Sequence, residues 1–287
     1  MKSRSSRSSR WARLLVPAQA QSSVTLYGII DAGILFNNNS NGARQWQQSS
    51  GVLQGSRWGL KGVEDLGGGL KEIFVLENGF SVSSGALGQG GGEFGRQAFV
   101  GLSSDALGKV TLGRQYDSVV DYTGALATGS QWAGYIGAHP GGLDNINNAN
   151  RVNNAIKYTS PVYGGFQFGG LYSLGGVAGQ PGRNQIFSAG AGYNNGPLSL
   201  GVGYVNARNP NYSFFGNNPN ANTATTTSGM NMTSPVYRGY ASANTLEIVA
   251  AAGAYSIGAA TLGLTYSYTR FDAVGSTAGA NLNPLNR

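Results

Sequence analysis

Ser56-Arg57-Trp58-Gly59-Leu60-Lys61-Gly62-Val63 decides the fold. Successive side chains of a β-strand point to opposite faces, so Trp58 and Leu60 share one face while Arg57, Gly59 and Lys61 share the other. Such a strand separates a wet interior from an apolar exterior. The next segment repeats the pattern: after the glycine-rich turn Glu64-Asp-Leu-Gly-Gly-Gly69, Leu70, Phe74 and Leu76 lie opposite Lys71 and Glu77. A soluble β-sandwich buries one face of every strand and has no use for Arg and Lys set repeatedly opposite aromatics.

Working outward, the chain reads as short β segments separated by turn residues. Ser22–Phe36 is rich in β-branched and aromatic residues, and Asn37–Gln48 reads as a polar loop. Eleven strands are expected in all, the later ones being 96–102, 109–114, 151–160, 164–174, 184–193, 197–206, 244–255 and 260–271. Their connections alternate between short turns (64–69, 103–108, 161–164, 194–196, 256–259) and long loops (37–55, 81–92, 116–150, 175–183, 207–243). That alternation is the layout of an outer-membrane barrel, and strands of about ten residues cross a bilayer when tilted. Tyr27, Phe80, Phe94, Tyr158, Tyr163, Tyr193, Tyr204 and Phe271 fall near strand ends, where aromatic girdles belong. The expected fold class is therefore all-β, an antiparallel transmembrane β-barrel.

Composition agrees and excludes other classes. Only 11% of residues are charged, against about 25% in average proteins, and 47 glycines occur without a collagen period. Nowhere is there a run of roughly 20 apolar residues of the kind a spanning helix needs. Of 19 basic residues five (Lys2, Arg4, Arg7, Arg10, Arg13) lie in residues 1–20, which leaves 14 against 12 acids and argues against a nucleic-acid partner. Those 20 residues combine a basic segment, the short apolar run Leu14-Leu-Val16 and a small-residue site, Ala18-Gln-Ala20. They read as a degenerate export signal or a disordered basic tail, set apart from the β domain at 21–287. No cysteine is present, so disulfides and thiolate metal sites are excluded, and neither a metal nor a cofactor is expected. Gly90, Gly92 and Gly95 fit a dinucleotide-binding spacing, but they precede a strand instead of opening a helix after one.

The longest uninterrupted loop before residue 200, Tyr116–Asn150, carries Asp117, Asp121 and Asp144, the single His139 and the aromatics Tyr116, Tyr122, Trp132 and Tyr135. Loops of this length in compact proteins usually carry function or are disordered.

Five stretches, Ser23–Gly28, Ser56–Leu70, Arg96–Leu102, Val110–Asp117 and Val152–Tyr158, together resemble the general-diffusion porins of Gram-negative bacteria, in particular the β-proteobacterial type. The resemblance implies a homotrimer of 16-stranded barrels in the outer membrane, each narrowed by an inward-folded third loop, here 116–150. Only about eleven strands are read in this chain, so the expectation is a partial barrel, either a porin fragment or a chain that does not form a pore alone. The resemblance also implies passive diffusion of small hydrophilic solutes and inorganic ions. It implies a constriction with Arg57, Arg96 and Arg151 on the wall, Lys61 in the same register as Arg57, and Asp117 and Asp121 on the loop, with Asp121 favoured and Asp144 a further candidate. Clustered arginines favour anions. An outer-membrane barrel hydrolase would need a convergent carboxylate pair or a histidine relay. A surface adhesin is suggested by the Asn/Thr-rich 217–231.

Overall fold

The computed structural model describes residues 22–216 and 231–276. Eleven strands form one antiparallel sheet: β1 (Ser23–Ile29), β4 (Arg57–Gly67), β5 (Leu70–Gly79), β6 (Gln97–Ser104), β7 (Gly108–Gln115), β8 (Val152–Thr159), β9 (Phe166–Ser173), β10 (Ile186–Asn195), β11 (Leu198–Arg208), β12 (Thr245–Ile257) and β13 (Ala260–Asp272). They pair in that order, with β1 and β13 at the two ends of the sheet.

The deciding stretch is β4, and its register confirms the two faces. Leu60 lies opposite Leu76 while Gly59 lies between Tyr27 and Glu77. Trp58, Ile156 and Tyr158 are exposed on the outer face. Outer aromatics form two bands: Tyr158, Phe166 and Phe168 pack near the short turns, and Phe187 packs on Tyr204 near the long loops. Leu26, Trp58, Val100, Leu112, Phe168, Val202, Val249 and Leu264 are exposed on strands across the sheet, a surface that suits hydrocarbon.

The sequence reading needs three corrections. First, Asn37–Gln48 is not a loop. β2 (Ala32–Ser40) and β3 (Ala43–Ser50) form a separate hairpin about Asn41-Gly42, both at positive φ, the turn chemistry that two-residue hairpins prefer. Asp31 anchors its base by accepting from the backbone nitrogens of Val52, Leu53 and Gln54 at 2.8–3.0 Å. The bonds from Gln54 and its neighbours hold the Asp31 carboxyl below its ordinary pKa.

Second, Tyr27 belongs to no outer girdle, because it points inward and donates to Glu77 Oε2 at 3.0 Å. Third, the interior is not wet all round. The inner face of β10–β12 carries Ile186, Val205, Ala207, Leu246, Ile248 and Ala250, each no more than 1% exposed. An apolar inner wall requires a cover, and the long loops supply it.

Candidate functional site

The segment between β7 and β8 folds against the inner face of the sheet. It opens with α1 (Ser118–Thr123), capped by Asp117, whose Oδ1 accepts from the backbone nitrogens of Val119 and Val120 at 2.8 and 3.2 Å. The first amides of a helix lack internal partners, and a capping aspartate satisfies them. Asn145 Nδ2, from the far end of the loop, donates to the other oxygen of Asp117. Asp117 is completely buried, and burial raises its pKa to about 6.

The helix rests directly on β11. A Cβ at Gly201 would lie 1.8 Å from Tyr122 O, and one at Gly203 2.7 Å from the Val119 Cα. Only glycine there allows the two backbones to meet. Val119 and Ile146 then join Ile186, Val205 and Ile248 in one apolar cluster. The loop is thus held on the β10–β12 side.

The cations gather on the opposite side. Tyr116, at the end of β7, accepts through its hydroxyl from Arg96 Nη2 at 2.8 Å and Arg151 Nη2 at 3.2 Å. The Arg151 guanidinium also lies 5.0 Å above the Tyr116 ring, a favourable cation–π placement. Arg96 Nε donates to Glu77 Oε1 at 2.8 Å, and Arg57 Nε stands 3.9 Å from Glu77 Oε2. Arg57 also donates to Gly55 O at 3.1 Å. Burial pulls the Arg151 pKa below its ordinary value, yet an arginine stays charged in a protein. A space of about 450 Å³ between this group and the loop is lined by Gln89, Arg96, Tyr135, His139, Asn148 and Arg151.

The structure therefore brings Arg57, Arg96 and Arg151 around one tyrosine and one carboxylate. Lys61 stands apart in the same register as Arg57, its ammonium 5.6 Å from the centre of the Tyr27 ring. Asp121 does not face the arginines. It is ion-paired with Lys157 of β8, which also donates to Tyr116 O. The acid among the arginines is Glu77, a wall residue, and its register opposite Leu76 and alongside Lys71 was the signal that could have found it. Asp117 is turned into the protein because the helix start requires an acceptor. Asp144 accepts from Ser267 Oγ of β13 at 2.7 Å and is paired with His139 Nδ1.

That last triad does not form a hydrolase relay. A nucleophile relay needs the serine bonded to the histidine and the histidine to the acid, whereas here Ser267 and His139 both bond to Asp144. Among the described residues no group of His, Cys, Asp and Glu could hold a metal ion.

A lipid-facing antiparallel sheet, short turns at one end, and a long loop folded inward beside clustered charge define an outer-membrane channel of the porin class. The chain belongs to the Gram-negative porin family, whose profile matches residues 16–283. It is 38% identical over 220 residues to an outer membrane porin protein of Bordetella pertussis, covering 67% of this chain and 56% of that protein. It is 36% identical over 203 residues to outer membrane porin protein 32 of Delftia acidovorans, covering 65% and 54%. Against the major outer membrane protein P.IB of Neisseria meningitidis serogroup B it is 32% identical over 193 residues, covering 66% and 55%. The chain thus spans about half the length of the curated relatives it matches. The solved anion-selective porin from Comamonas acidovorans superposes with a TM-score of 0.66 at 25% identity, over 88% of this chain and 69% of that one. The family places the chain in the outer membrane, and its members are passive channels, not enzymes. The adhesin reading rested on 217–231, which lies almost wholly outside the described residues, as does the export signal at 1–20.

Proposed function

We propose that the chain contributes to a pore for the passive diffusion of small hydrophilic solutes and ions, favouring anions, and that it assembles as a homotrimer. The observation that carries the reading is the excess of guanidiniums on this wall: Arg57 and Arg96 share one carboxylate, Glu77, and Arg151 joins Arg96 on the Tyr116 hydroxyl beside the inward loop. Low-dielectric walls focus such a field, and clusters of charge set selectivity in pores. Arg57, Arg96, Arg151 and Lys61 form the basic wall. Asp121, neutralised locally by Lys157, marks the loop's near edge, and Asp117 holds the loop in place without meeting solute. That the Comamonas acidovorans protein is an anion-selective porin supports the same direction.

The test is a planar-bilayer measurement of the reversal potential across a KCl gradient. A potential displaced toward chloride supports the reading, and cation preference overturns it. Because the Debye length is about 10 Å at 0.1 M salt, the preference is expected to weaken as ionic strength rises.

A further inference from the structure

The connection between β11 and β12 is buried on the inner side of the sheet along its first described part. Every residue from Asn209 to Gly216 is buried, including the short helix α2 (Pro210–Ser213) and the side chains of Phe214 and Phe215, 1% and 5% exposed. Surface loops are normally exposed. A neck of hydrogen bonds closes this one: Asn211 Oδ1 accepts from the backbone nitrogens of Asn231 and Met232 at 2.8 and 3.0 Å, and Asn231 Nδ2 donates back to Asn211 O at 2.7 Å. Phe214, Phe215 and Met232 join the apolar cluster that contains Val119 and Ile146 of the inward loop.

The contact with the tip of the inward loop is direct. The Phe215 and Tyr237 rings lie 4.6 Å apart, and a Cβ at Gly141 would sit 3.2 Å from both Tyr237 Cε1 and Val236 Cβ. Gly141 has φ of +70°, so the turn and the contact both call for glycine. On its other side the connection is stacked on the sheet through Tyr240 and Phe271, 4.7 Å apart and 6° from parallel.

We propose that the described parts of the β11–β12 connection, residues 209–216 and 231–244, form a lumenal brace, with Phe215 and Tyr237 as positioning residues. It presses the 139–146 tip of the inward loop into place and covers the apolar inner wall of β10–β12. The tip carries His139, which lines the space beside Arg96 and Arg151, so a shift in the brace moves the wall of the solute path. The inference rests on reading the 116–151 loop as lumenal, but its test does not depend on transport.

The full chain, folded in lipid bilayers, is compared as wild type, Tyr237→Phe and Tyr237→Ser. His139 is the single histidine, so the imidazole product of diethylpyrocarbonate reports on the tip alone, and hydrogen exchange over residues 139–148 reports on its backbone. Tyr237→Phe should match wild type. Tyr237→Ser should speed tip exchange by about tenfold and quicken His139 modification, with the amides of 118–123 and β4–β8 unchanged. If Tyr237→Ser does not fold, Phe215→Leu, which keeps an apolar side chain and loses the ring packed on Tyr237, should give the same local pattern. Wild-type rates at the tip overturn the proposal, and so does a uniform rise across the sheet, since that would make the contact a prop for the whole fold. A chain that keeps the brace and yet conducts nothing would sink only the transport reading.

Discussion

Arg96 donates its Nε to Glu77 Oε1 at 2.8 Å, with only 6% of either side chain exposed. The same carboxylate accepts the Tyr27 hydroxyl and faces Arg57. Removing one partner from a buried ion pair leaves the other charge uncompensated, at a cost of about 3–5 kcal/mol. Glu77→Gln should therefore lower stability by that order in a urea titration from bilayers. It should also raise the cluster's formal charge by one and increase anion preference. Unchanged stability would mean that another group neutralises Arg96.

Neutralising Arg57, Arg96 and Arg151 together, each to Gln, should shift the reversal potential under a KCl gradient toward cations. Lys61 should contribute less, being more exposed and set beside Tyr27. A potential that does not move would show that the three guanidiniums lie away from the conducting path.

Leu60 and Lys61 are neighbours in sequence that face opposite solvents. A cation near the bilayer midplane on the outer face costs about 2–4 kcal/mol, so Leu60→Arg should impair folding far more than Lys61→Leu. Folding yields in bilayers compare the two directly, and equal effects would mean that the register of β4 is wrong.

How much of this was legible follows from where side-chain period alone decides the outcome. Trp58, Leu60 and Lys61 were readable because a one-residue slip would carry all of them to the wrong face. The hairpin β2–β3 was not legible, since Asn is a poor strand former and the run of Asn and Gln hid the turn signal Asn41-Gly42. The covered inner wall was also hidden. Ile186, Val205 and Ile248 sit in strands whose outer face is apolar too, and such a run has no alternation to read. Gly201 and Gly203 were the only trace of α1 lying on β11, and in a chain with 47 glycines they do not stand out. Loop acids could be listed but not assigned, because whether Asp121 meets an arginine or Lys157 depends on how the loop is docked.

Asp117 supplies a pH dependence whose sign can be worked out. Its pKa is about 6 in the folded chain, against an ordinary 3.8, chiefly because burial penalises the charged form, with bonds from Asn145 and the α1 amides opposing it. A raised folded pKa means that protonation favours the docked loop. The stabilisation is full below about pH 4 and is lost as pH rises through 6, and a shift of this size is worth about 3 kcal/mol. Hydrogen exchange of residues 118–123 should therefore be slower at pH 5 than the intrinsic pH dependence of exchange accounts for, and should show a midpoint near 6. Asp117→Asn keeps an oxygen for the Val119 and Val120 amides and removes the titration, so its corrected exchange should be flat across this range. If the variant retains the midpoint, the titrating group is elsewhere.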